Sequence, residues 1–207
     1  MLGRKKTPAN PWTESAVQVL EAEHLEADEL MGGLVAIEGP PVPLGLALGS
    51  RPRTLRRGFL PASDHLYVVG LHGGSGATTV TRLLGDRAAV DACGVVPQLS
   101  VPTKARVLLV ARTNGAGLAA AKAAAQEWAA EDLTGTDLIG LVLVADATRL
   151  SKYLRAEALS VAGLTPRCWR IGWREDWREQ AVPDLSARSA RLRKVITDIT
   201  QRAQTRA

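Results

Sequence analysis

The chain has 207 residues, of which 46% are hydrophobic and 23% charged, a balance that fits one substantial globular core and excludes a collagen-like or low-complexity chain. Its formal charge is +5, and its two cysteines, Cys93 and Cys168, lie far apart without a CxxC spacing, which excludes a disulfide framework and argues against a cysteine metal site. No apolar segment follows Arg4, Lys5 and Lys6, and no run reaches the ~18 apolar residues of a membrane span. The chain therefore reads as cytoplasmic, with no membrane span and with both thiols reduced and buried.

Residues 1 to 13 contain Pro8 and Pro11 and few apolar groups, and are expected to be unordered. From Glu14 to Glu38 there are seven acidic residues and no Lys or Arg. Within that stretch a short acidic helix is expected, capped by Thr13 and ended by Gly32 and Gly33. Residues 39 to 64 are rich in Pro, Gly and Arg and read as a linker or extended arm, with four arginines between Arg51 and Arg57. Together, residues 1 to 63 form an N-terminal arm.

The core domain is expected over 64 to 181. Leu66 to Leu71 reads as a strand, and Thr78 to Leu84 as a helix opening from a glycine turn. The stretch from Asp86 to Lys104 has no clear period and reads as an extension of that helix followed by a loop through Pro97 and Pro102. Arg106 to Ala111 and Leu138 to Ala145 are continuous apolar runs, the pattern of strands buried on both faces. Thr113 to Glu131 is the clearest helix. Leu150 to Ala162 is another, followed by a short strand at Arg167 to Ile171. A basic helix from Leu185 to Gln204 closes the chain as a third region, 182 to 207. Strands without alternation, separated by helices, predict a three-layer α/β/α fold with a mostly parallel sheet. Ligands on such sheets sit at the carboxyl ends of the strands. Those ends are Gly70 to His72, Arg112 and Thr113, Asp146 and Trp173.

The glycine turn carries the chemistry. Phosphate binding needs small residues, so that consecutive backbone N–H groups can face one anion. Gly73, Gly74 and Gly76 meet that need, and the helix start adds the positive end of its dipole. Thr78 stands where a Ser/Thr hydroxyl ligates Mg²⁺ in the pattern G-x-x-x-x-G-K-[ST]. Two positions depart from that pattern. Leu71 occupies the first glycine position, with Gly70 one residue early, and Ala77 occupies the lysine position.

His72-Gly73-Gly74-Ser75-Gly76-Ala77-Thr78-Thr79 resembles the deviant Walker A motif of MinD/ParA-type ATPases, K-G-G-x-G-K-T-T. It also resembles an actinobacterial MinD-like family with a HGGxGxTT loop. The likeness covers roughly 64 to 181. Val107 to Leu118 is similar to a core strand and its following helix. Leu141 to Asp146 resembles the strand whose end faces the base, and Trp169 to Trp177 the last core strand and the loop lining the adenine. The resemblance implies a P-loop NTPase-like fold, ATP and Mg²⁺ as ligands, and a homodimer or other protein partner. It places the family's signature lysine on His72 and its Walker lysine on Ala77. Two further departures bear on catalysis. The segment between the first helix and Arg106 is short, so the switch I strand and its catalytic aspartate are expected to be absent. The strand from Val107 ends in Arg112 and Thr113, with no Walker B carboxylate.

The expected function is therefore a degenerate member that binds nucleotide or phosphate weakly, with little or no hydrolysis, and acts as a partner or scaffold. The alternatives are an atypical ATPase using His72, Arg112 and Thr78, and a DNA-associated partition-like protein using Arg51 to Arg57 and the C-terminal helix. Accessory roles stay open. A protonated His72 is a partial lysine substitute. Arg112 supplies charge beside the phosphates, caps a helix, or pairs with Glu157 or Asp146. Asp146 contacts base or ribose, or caps the helix near Leu150. Trp173 stacks on a purine, or joins Trp169 and Trp177 in a packing stripe. Lys104 and Arg106 are further candidates for charge near the loop.

Overall fold

A computed structural model describes residues 35 to 45, 54 to 99, 103 to 131, 133 to 179 and 189 to 205. The expected unordered start and acidic helix, Arg51 and Arg53 lie outside the described residues.

Six strands form the main sheet: β1 (Ala36–Glu38), β3 (Leu66–Gly70), β4 (Ala89–Asp91), β6 (Ala105–Arg112), β7 (Thr136–Val144) and β8 (Arg167–Ile171). Their order across the sheet is β1-β8-β7-β6-β3-β4, and every pairing is parallel except β1 with β8. A separate two-stranded parallel sheet joins β2 (Arg56–Phe59) to β5 (Val95–Gln98). The helices are α1 (Ala77–Leu84), α2 (Gly115–Ala129), α3 (Lys152–Ala162), α4 (Glu175–Glu179) and α5 (Ala190–Gln204).

The architecture is three-layered, and strand alternation explains why. On β6, Leu108 and Val110 enter one core with Val80 and Leu83 of α1 and Leu192, Val195, Ile196 and Ile199 of α5. Val107, Leu109 and Ala111 take the other face of the sheet, where α2 packs against β6 and α3 against α2. All five of these β6 side chains are fully buried. Burial on both faces is why the run showed no period of two. The β6–β7 register shifts between Val107 and Leu108 of β6, which makes Ile139 an extra residue on β7. The bulge brings Ile139 to the same face as Val142 and Val144.

Caps account for the helix starts. Asn114 Oδ1 accepts the Gly117 N–H at 2.8 Å, Ser151 Oγ the Leu154 N–H at 3.2 Å, and Ser189 Oγ the Leu192 N–H at 3.2 Å. The basic C-terminal helix is amphipathic, and its apolar stripe belongs to the central core rather than to a detached tail. Each of its buried aliphatic side chains contributes roughly 1.5–3 kcal/mol relative to exposure. Asp198 on its polar side accepts the Trp169 indole N–H at 2.6 Å and the Arg167 Nε–H at 2.8 Å. Arg167 also pairs with Glu38 of β1, so one guanidinium links β1, β8 and α5.

The structure departs from the sequence reading in three places. The stretch after Asp86, read as a helix extension followed by a loop, contains both β4 and β5. The expected linker contains β2, and β1 closes the sheet beside β8. The three tryptophans do not form a stripe: Trp169 is buried in β8, Trp173 lies in the following loop and Trp177 on α4.

Candidate functional site

The sheet order reverses between β3 and β6. From β3 the chain crosses through α1 to β4 on one side, and from β6 it steps outward through β7 and β8 on the other. Ligands of doubly wound sheets bind in the crevice that such a reversal opens. The glycine loop leaves β3 at this point.

Within the loop, the Ser75 N–H donates to the His72 carbonyl at 3.2 Å, closing a turn. Gly74 (φ +73°) and Gly76 (φ +94°) adopt left-handed backbone, which a side chain would strain. Gly76 starts α1, and no side chain caps this helix. Its first turn contains no acidic residue. The leading N–H groups of α1 thus end at the loop with the positive pole of the helix behind them.

His72 joins the loop to β6. Its Nε2 accepts the Arg112 backbone N–H at 3.0 Å, and its Nδ1 lies 2.9 Å from the Gly73 carbonyl. An amide nitrogen only donates and a carbonyl only accepts, so this geometry requires the neutral ring with the proton on Nδ1. His72 is therefore a brace, and the partial lysine substitute expected of a protonated ring is not what its bonds support. Gly117 makes room for this joint. A Cβ there would lie 2.3 Å from the Arg112 carbonyl oxygen and 2.9 Å from His72 Nε2.

Arg112 also acts through backbone. Its Nε donates to the Gly74 carbonyl at 3.1 Å and its Nη1 to the Ala145 carbonyl at 2.9 Å. Neither Glu157 nor Asp146 is its partner: Glu157 pairs with Lys122 at 3.4 Å. The guanidinium stands between two clefts and lines both. One cleft, of about 640 Å³, runs along the glycine loop and is lined by His72 to Thr79 with Asp91, Cys93 and Thr54 to Arg56. The other, of about 580 Å³, is lined by Val144 to Thr148, Ile171 to Glu175 and Trp177. Gly76, Thr79 and Arg112 are common to the two.

Thr78 gains an oxygen neighbour that sequence reasoning missed. Its hydroxyl donates to Asp91 Oδ2 at 2.7 Å, and Asp91 Oδ1 accepts the Cys93 N–H at 2.9 Å. Asp91 ends β4, beside the loop strand. The segment between α1 and β6 thus carries a short strand that ends in an aspartate, although β4 is only three residues long. A three-residue strand has too little length to show a period.

A family model described as a family of unknown function (DUF6668) matches residues 64–195. The chain belongs to that family. No curated protein and no solved structure matches it. The matched span of this DUF6668 member starts at the loop strand and extends into α5.

Other predicted residues of the DUF6668 chain fall as follows. Asp146 lines the second cleft, but it does not cap the helix near Leu150, since Ser151 does. Its N–H donates to the Thr113 hydroxyl at 3.1 Å. Trp173 lines the same cleft, and its indole N–H donates to Glu175 at 2.8 Å. Ser75 and Ala77 are buried within the loop, whereas Gly73 and Gly74 are exposed. Arg106 does not approach the loop. It donates to the carbonyls of Asp64 and Ala203, and Lys104 precedes β6, so both lie at the amino end of that strand, opposite its loop end. Cys93, expected to be buried, is exposed and lines the loop cleft. Cys168 is buried, and burial pushes its thiol up to about 12.

Glu127 is the second residue the sequence did not single out. It is 2% exposed, inside the alanine-rich α2. Its Oε1 accepts the Thr54 hydroxyl at 2.7 Å, the Leu55 N–H at 3.1 Å and the Thr54 N–H, and its Oε2 pairs with Arg57 at 3.1 Å. This carboxylate fastens the start of β2 against α2, some seventy residues away in sequence. Arg57, expected in a patch for nucleic acid, is instead committed to this internal bond.

Proposed function

We propose that the chain binds a nucleotide or other phosphate compound at the glycine loop, with little or no hydrolysis, and acts as a partner or scaffold protein. The observation that carries this reading is the uncapped start of α1, opening from the left-handed Gly74 and Gly76 into a cleft at the point of strand reversal. Consecutive backbone N–H groups at such a place suit an anion. The second cleft, reached past Gly76, Thr79 and Arg112, offers Trp173 and Asp146 to the rest of a nucleotide. This reading keeps the likeness to MinD/ParA-type proteins and the P-loop as its working frame.

Magnesium fits as a companion of phosphate. The Thr78 hydroxyl and the Asp91 carboxylate are hard oxygen donors 2.7 Å apart. Mg²⁺ prefers such donors and fills its remaining positions with phosphate oxygens and water. When bound, the ion would neutralise phosphate charge. What the residues do not offer is the lysine ammonium at Ala77 or a carboxylate at the end of β6. Without them, charge developing on a transferred phosphoryl group is poorly stabilised.

Asp91 favours one second reading, an atypical ATPase in which this carboxylate orients water or metal. The DNA-associated reading has less support, because Arg57 is bonded to Glu127 and Arg202 to the Ile139 carbonyl.

Titration with ATP and Mg²⁺, followed by tryptophan fluorescence and thermal stability, tests the main reading. Saturable binding lost in Thr78→Ala or in a loop-blocking Gly74→Val variant is expected. Absence of any shift at millimolar ATP would overturn it. Steady turnover abolished by Asp91→Asn would replace it with the second reading.

A further inference from the structure

We infer that Arg56, supplied by the N-terminal arm, is the exposed cation that meets the ligand in the loop cleft, and that the cleft therefore selects polyphosphates over single phosphates. The inference rests on the phosphate-binding reading of the loop and specifies its ligand.

The charge inventory of the cleft leads to this residue. The loop's own side chains are Leu71, His72, Ser75, Ala77, Thr78 and Thr79, and none carries a positive charge once the His72 ring is fixed as neutral. Among the described residues two cations line the cleft, Arg112 and Arg56. Arg112 is a fixed charge, with two of its nitrogens bonded to the Gly74 and Ala145 carbonyls. Arg56 is exposed and makes no hydrogen bond or ion pair with any described residue. The lining carboxylate, Asp91, is already engaged by the Thr78 hydroxyl and the Cys93 N–H.

The backbone that carries Arg56 is not loose. Arg56 pairs with Val95 and Arg57 with Val96 in the parallel β2–β5 ladder. Val95 follows Gly94, itself part of the cleft wall. Successive strand residues point to opposite sides. Arg57 goes to Glu127, which also holds Thr54 and Leu55, and Arg56 is left on the cleft side. The arm thus brings a guanidinium to the loop on a strand clamped at its start. The side chain beyond that strand remains free to meet an incoming anion.

Two kinds of anion contact follow. The α1 start serves the first phosphate through N–H groups and suffices for inorganic phosphate. A chain of phosphates carries additional charge past the loop, and only a cation can meet it. Guanidinium is suited to phosphate oxygens, which it binds in a forked geometry. The contribution of Arg56 therefore grows with the number of phosphates and falls with salt, because an exposed charge is screened.

Calorimetric titration of the full chain with inorganic phosphate, pyrophosphate and tripolyphosphate at low ionic strength tests this. Arg56→Ala is expected to weaken tripolyphosphate binding about tenfold and inorganic phosphate less than twofold. Arg56→Lys, which keeps the charge, is expected to remain within about threefold of the parent for tripolyphosphate. An unchanged melting temperature establishes that the exposed substitution leaves the fold intact. Equal tripolyphosphate affinity in the parent chain and Arg56→Ala overturns the role of Arg56 while leaving the loop reading standing. A parent chain that binds none of the three anions at millimolar concentration overturns both.

Discussion

Removing the Glu127 carboxylate releases four donors at once, and the size of the effect follows from where those donors lie. Thr54 is exposed, and the Arg57 side chain is 21% exposed, so water replaces much of what they lose. The Leu55 N–H is half-buried, and Glu127 itself is 2% exposed, so truncation also leaves a small void in its place. With net hydrogen bonds worth about 0.5–1.5 kcal/mol each and partial rehydration, Glu127→Ala should cost about 2–3 kcal/mol. Arg57→Ala should cost less, about 1–2 kcal/mol, because Oε1 keeps its three donors while only Oε2 loses its partner. In the double variant the second loss has little left to remove, giving a coupling of about 1–2 kcal/mol. Urea unfolding followed by tryptophan fluorescence supplies the stabilities for the cycle, and hydrogen exchange at the Leu55 amide reports arm release directly. Additivity within about 0.5 kcal/mol, with Leu55 protection unchanged in Glu127→Ala, would show that the clamp does not hold the arm.

Other substitutions probe the remaining joints. Gly117→Ala forces a Cβ within 2.3 Å of the Arg112 carbonyl and should destabilise by about 1–3 kcal/mol, whereas Gly115→Ala, with no atom within 4 Å, should be neutral or slightly stabilising. A thermal melt of the pair decides this, and equal midpoints would refute the close approach. Asp198→Ala orphans the fully buried Trp169 indole N–H and should cost about 1–3 kcal/mol in urea unfolding, with Asp198→Asn recovering part of it. A thiol reagent should label Cys93 in the native chain and reach Cys168 only on unfolding. The Cys168 thiol is pushed up to about 12 from its ordinary 9.0. Between those values the unfolded chain has lost a proton that the native chain keeps. Stability therefore falls as pH rises through this window, by up to ~1.4 kcal/mol per pH unit, and Cys168→Ala should flatten that slope.

The long elements were legible because each carries its own signal. The apolar run of β6 and the alanine-rich α2 declare themselves locally, and the glycine turn marks the passage from strand to helix without any knowledge of neighbours. The short strands were not legible. β1 and β4 have three residues each and exist because a partner strand completes their hydrogen bonds. Side-chain roles failed for the same reason. Nothing near Asp91 in sequence announces Thr78, and nothing near Glu127 announces Thr54 or Arg57. Arg112 was read through possible carboxylate partners, yet it spends its donors on carbonyls, which every residue carries and no sequence pattern distinguishes.

The His72 joint has a consequence for placing a lysine in this loop. Putting lysine at position 72 would do more than add a charge. It would strip the Arg112 amide of its acceptor and leave the Gly73 carbonyl without its ring donor. Lysine at position 77 meets a different obstacle. Ala77 is buried, packed so that a Cβ on Gly70 would come within 3.2 Å of it, and a longer side chain must find an exit past that wall. Each position fits its present residue. A lysine at either one would disturb a contact that the loop now makes, the Arg112 amide bond in the first case and the close packing beside Gly70 in the second.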